Sequence, residues 1–238
     1  MDHHQRGFSL VSVMVGLVIS LLAILGMMNL YAVMGKLAAE SGGFAQMTGD
    51  RAAAVLAATQ AMQAAGYGIA DAEADAHLRL CANLIPAGNG DLAGNCGTAN
   101  SGNALLWRTD GTLCEGLYIT AAGGLELLSP TSCGSTGFST TWSSAQRTPL
   151  YTPQVPGEEA FASPVAGAVF TTFALVDTPC SPFGVGDPVA GSVRVRLEFH
   201  QPLVSPTDPD ASYDPSDSST FRAIDAWACL VNFAEDDE

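Results

Sequence analysis

Six cysteines carry the most readable chemistry in this sequence: Cys81, Cys96, Cys114, Cys133, Cys180 and Cys229. None is spaced as C-x-x-C, which excludes the usual zinc-ribbon and thioredoxin arrangements. Beyond the leader region only His77 and His200 remain, too few for a Cys/His metal centre. An even set of separated cysteines suits structural disulfides formed in an oxidising compartment; buried free thiols are the alternative. We expect nearest-neighbour pairing: Cys81 with Cys96, Cys114 with Cys133, and Cys180 with Cys229.

A second candidate is an acidic loop. Asp208, Asp210, Ser212 and Asp214 alternate, with Asp217 close behind. Oxygen ligands so arranged suit Ca²⁺, and Asp208, Asp210 and Asp214 are the candidate metal ligands. Tyr213 and Ser219 stand where an EF-hand loop carries its glycine and its glutamate, so a plain solvated loop competes with this reading. No other cofactor is expected. Neither a G-x-S-x-G elbow nor a phosphate-binding glycine pattern is present; Gly88-Asn89-Gly90-Asp91 lacks the spacing. His200 ends an alternating run and His77 lies among Asp71, Glu73, Asp75 and Arg79, both surface settings. Pairs such as Glu158-Glu159 and Asp236-Asp237 are too common in an acidic chain to mean catalysis. We therefore expect no catalytic residue and no enzyme. With 9 Lys and Arg against 24 Asp and Glu, the net charge is −15, and Lys36 is the one lysine. Phosphate binding needs clustered cations, so nucleic acid is excluded as a partner.

The elements that must position these groups begin with residues 8–35, which hold neither a charge nor a proline. At about 1.5 Å per residue such a helix exceeds the hydrocarbon thickness of a bilayer, and it is too long for a cleaved signal's apolar core. Arg6, with His3 and His4 nearby, places the N-terminus in the cytoplasm and the rest outside. The pattern continues as helix: Val55, Thr59, Met62 and Gly66 share a face with Leu56 beside it, while Asp50, Arg51, Gln60 and Gln63 lie elsewhere. Ser41-Gly42-Gly43 and Gly49 predict a kink or short break. Residues 69–101 read as a loop-dominated connection. Strands are expected at 104–108, 117–120, 125–128, 168–176, 192–200 and 221–233. Val193, Val195, Leu197 and Phe199 alternate with Arg194, Arg196 and Glu198, as in an antiparallel sheet with one covered face. The expected fold class is α+β: a long N-terminal hydrophobic helix packed at its C-terminal half against an antiparallel β-sheet.

Two stretches carry a family resemblance. Arg6-Gly7 followed by Phe8-Ser9-Leu10-Val11 resembles the class III signal of type IV prepilins and pseudopilins. Ala64-Ala65-Gly66-Tyr67-Gly68 resembles the motif that closes the long helix of PilW-type minor pilins, although Met62 and Gln63 stand where that motif usually has an arginine nearby. The resemblance implies a leader at 1–7, a transmembrane and assembly helix at 8–35, its periplasmic continuation at 36–68, and a β-rich extracytoplasmic domain at 69–238. It implies cleavage after Gly7 by a prepilin peptidase and methylation of Phe8. Implied partners are the inner membrane, other minor pilins and the major pilin, and the implied destination is the assembled pilus. In the family the fifth mature residue is usually glutamate, whose carboxylate pairs with a neighbouring subunit's N-terminal amine; here it is Ser12. A serine there suits either a subunit at a filament tip, with no neighbour above it, or a divergent subunit that assembles inefficiently. Gly16, Ser20, Ala23 and Gly26 are small enough for close helix contact. The function implied is a minor pilin that primes assembly and stands at or near the tip. A minor pseudopilin of type II secretion, or a membrane-anchored periplasmic adhesive or binding protein, are the alternatives.

Overall fold

The computed structural model describes residues 10–70, 72–87, 91–94, 96, 99–110, 112–133, 138, 140–153, 169–176, 178–181, 188, 192–202 and 221–233. The chain divides into two compact units between Gln46 and Met47. Helix α1 (Leu10–Gln63) begins in the first and ends in the second.

In the first unit, Leu10–Ala38 is long and apolar enough to cross a membrane, with mean hydropathy 2.7. Its large side chains are exposed throughout, from Leu10 to Leu37. Such a surface is stable only in an apolar surrounding. The expected break does not form: the backbone is helical through Gly42, Gly43 and Gly49. A glycine penalty of about 1 kcal/mol is small against the cooperative bonding of a helix this long.

The second unit adds a short helix α2 (Ala74–His77) and twelve strands among the described residues. In chain order these are β1 (Leu78–Cys81), β2 (Ile85–Pro86), β3 (Leu92–Gly94), β4 (Ser101–Gly102), β5 (Ala104–Arg108) and β6 (Leu113–Ile119). Then come β7 (Leu125–Ser132), β8 (Thr140–Trp142), β9 (Arg147–Tyr151), β10 (Val169–Val176), β11 (Val193–Pro202) and β12 (Phe221–Leu230). They form a five-stranded sheet β1-β5-β6-β7-β9, a four-stranded sheet β12-β11-β10-β4 and a three-stranded sheet β2-β3-β8. Every described pairing is antiparallel. The single sheet expected from the sequence is thus three, and the segment expected to be loop holds β1, β2 and β3. These strands are two to four residues long, too short for an alternation to register.

The alternation on β5 divides the interior into two cores. Leu105 and Trp107 point into a core shared by the end of α1 and the two larger sheets, with Phe173, Val195, Leu197 and Phe199. Ala104 and Leu106 point the other way, into a second core with Leu84, Leu92, Tyr118, Phe138 and Trp142. All five β5 residues are therefore buried, which explains why its sequence does not alternate. Disulfides Cys81–Cys96 and Cys114–Cys133 lie in the second core, and Cys180–Cys229 fastens β12.

The helix face toward the first core is Ala54, Ala58, Met62 and Ala65. It is turned from the face expected: Leu56 is 60% exposed, and Arg51 belongs to the buried side. The helix contributes small alanines to this core and the strands contribute the large aromatics, so apolar size on the helix was the wrong guide here.

Within β6, Glu115 pairs opposite Trp107, and burial pushes its carboxyl above the usual glutamate range. The folded state then binds a proton more tightly than the unfolded chain, so stability falls as pH rises through the glutamate range. Glu115→Gln should raise the unfolding midpoint at neutral pH, and the gain should vanish below about pH 4, where the unfolded carboxyl is also protonated. Thermal unfolding of the detergent-solubilised chain across pH measures this.

Candidate assembly site

Ser12 and Gly16 lie in the first turns of α1, one turn apart, on a face continued by Ser20 and Ala23. The space beside Gly16 is open: a Cβ built there meets nothing within 4 Å. Ser20 Oγ donates to Gly16 O at 2.8 Å and lies 3.0 Å from Leu17 O, so its hydroxyl is satisfied inside the helix. A serine on this face therefore presents a small surface that lipid or a second helix tolerates, whereas a buried carboxylate demands a cationic partner. Gly7 and Phe8 lie outside the described residues, as do Asp208, Asp210 and Asp214. Among the described residues no group of three or more His, Cys, Asp or Glu side chains converges to hold a metal. His77 Nδ1 accepts from the Glu73 backbone N–H at 3.0 Å, and His200 Nε2 is 3.8 Å from Glu198 Oε1.

At the far end of α1, the stretch 64–68 stops the helix by a specific geometry. Ala65 is fully buried, and Gly66 adopts φ +77°, the left-handed conformation that ends many helices. A Cβ on Gly66 would lie 3.0 Å from Phe233 Cζ and 3.2 Å from Asn232 Cβ. Asn232 Nδ2 donates to Gln63 O at 3.1 Å and to Ala65 O at 2.9 Å, satisfying carbonyls that the helix end leaves open. Gly68 is also left-handed, and Tyr67 between the two glycines is 77% exposed. The first glycine of the motif is thus a packing joint, and the residue after it displays a tyrosine. Asn232 carries no sequence signal, because its partners are far away in the chain. Arg51 was missed for a different reason: its guanidinium lies 5.6 Å from the Phe199 ring centre, and burial lowers its pKa.

The prokaryotic N-terminal methylation motif matches residues 2–28, which include Gly7, Phe8, Ser12 and Gly16. The match supports a type IV pilin-like protein, of a class that is structural and generally non-enzymatic. It implies processing by a prepilin peptidase, anchoring through the apolar helix with the rest extracytoplasmic, and assembly with other pilins. No curated protein matches the chain, and no solved structure does.

Gly66→Ala forces a left-handed alanine against Phe233 and should destabilise the second unit by about 1–2 kcal/mol. Asn232→Ala should lose roughly 1 kcal/mol per buried carbonyl left unmet. Chemical denaturation monitored by near-UV circular dichroism reads both.

Proposed function

We propose that this chain is a minor pilin of the PilW type, a non-enzymatic subunit that helps prime a type IV pilus and ends at or near its tip. The observation that carries the reading is the methylation motif at residues 2–28, laid over a helix whose apolar surface is wholly exposed. Cleavage between Gly7 and Phe8 precedes the apolar segment, so the helix stays attached and the subunit waits in the inner membrane. Extraction into a bundle of like helices then replaces lipid by protein on the same surface, with Ser12, Gly16, Ser20 and Ala23 allowing close approach. The turn at 64–68 and the AGYG likeness favour the PilW type over other subunits of this class.

Ser12 supports the tip placement. A subunit inside the filament needs a carboxylate to meet the next N-terminal amine, because an unpaired amine in an apolar bundle is costly. A terminal subunit has no such amine to meet, and serine there avoids burying an unmatched charge.

Intact-mass analysis of protein extracted from membranes with an active prepilin peptidase should show a chain beginning at Phe8 and one methyl group heavier. A chain still beginning at Met1, or cut within the apolar helix, would sink the reading. Ser12→Glu should leave piliation nearly unchanged or disturb it. A large rise of that variant along the pilus shaft, seen by immunogold labelling, would count against a tip position.

A further inference from the structure

Among the described strands, β12 is the last of the four-stranded sheet. Among the described residues β12 is paired to β11 at every position from Phe221 to Leu230, and to no strand on its other side. Its register with β11 has no bulge, and its sequence FRAIDAWACL has neither proline nor lysine. Long edges are normally blunted by such features, because their free N–H and C=O groups match one thing well, another extended chain.

A groove of about 640 Å³ runs beside this strand. Its walls include Thr59 and Gln63 from α1, Cys180, and both faces of β12 through Trp227 and Ala228. A cavity that touches both faces of one strand lies at its edge. The volume falls within the range of about 300–1,000 Å³ usual for ligand clefts, and the Cys180–Cys229 disulfide fixes one wall. Among the described residues lining it, which also include Pro179, Ser181 and Pro188, Arg194 is the one charged side chain, held 4.0 Å from the centre of the Trp227 ring. Trp227 is 40% exposed, whereas Trp107 and Trp142 are buried. The net charge of −15 disfavours an acidic ligand at long range, so any preference for a carboxylate here is local, from a cation stacked on Trp227 at the groove.

We propose that the edge of β12 binds an extended segment of another polypeptide, added as a further strand of the four-stranded sheet, with an Asp or Glu side chain beside Arg194. Backbone hydrogen bonds supply the affinity and the Arg194–Trp227 pair the selectivity. This goes beyond the pilus reading and stands or falls without it, because it rests on the second unit alone.

The probe is a library of end-capped heptapeptides, randomised except for a central Asp, Lys or Ala, offered to the detergent-solubilised full chain. Calorimetry measures binding, and the shift in tryptophan fluorescence, compared with Trp227→Phe, locates it. The expected result is enrichment of the Asp pool, a fluorescence shift lost in Trp227→Phe, and loss of binding when the selected peptides are methylated on alternate backbone nitrogens. Arg194→Glu should move the preference from Asp toward Lys by about tenfold or more, with Arg194→Gln intermediate and both variants folded by circular dichroism. Absence of binding from every pool, or equal binding of the N-methylated peptides, overturns strand addition. An Asp preference unchanged by Arg194→Glu overturns the carboxylate assignment.

Discussion

The second unit depends on one core that the end of α1 and two sheets fill together. Ala54, Ala58, Met62 and Ala65 are the helix residues buried in it, and three of the four are small. The bulk comes from the other side, from Trp107, Phe173, Phe199 and Phe233. Larger residues on the helix would push it off the sheets and open voids, and a close-packed interior tolerates these poorly. The five-stranded and four-stranded sheets contribute to one core because the same narrow helix face is shared by both.

The same core constrains how the helix ends. Phe233 belongs to it and packs beside Gly66, which supplies the left-handed turn without a side chain to collide with that ring. The second core, on the far side of β5, then frees the molecule from relying on the helix for all of its burial. Two of its members are the disulfides Cys81–Cys96 and Cys114–Cys133, which tie short strands and loops that bury little on their own.

Much of this fold was legible in the sequence, and the limits have physical causes. The apolar helix, β5, the β6–β7 hairpin, β10, β11 and β12 were readable, because each carries a pattern longer than the noise of composition. In β11 the expected alternation is the observed one, with Val195, Leu197 and Phe199 buried. The three-stranded sheet and β9 were not readable, since Ile85–Pro86 and Leu92–Gly94 are too short to show a period and Arg147–Tyr151 is interrupted by Pro149. The helix face was misplaced because alanine contributes little to a hydrophobic pattern, yet Ala54, Ala58 and Ala65 are the buried positions. Of the residues singled out from sequence, Gly66 has a structural role in the left-handed end of α1. Asn232 could not be singled out, because nothing local marks a side chain that caps a helix 167 residues earlier.

The cap also orders events in time. Residues 63–65 are made 167 to 169 residues before Asn232, yet the carbonyls of Gln63 and Ala65 wait for that one amide. The joint at Gly66 therefore closes only after β12 has docked, so order at the helix end reports on a strand that is remote in the sequence.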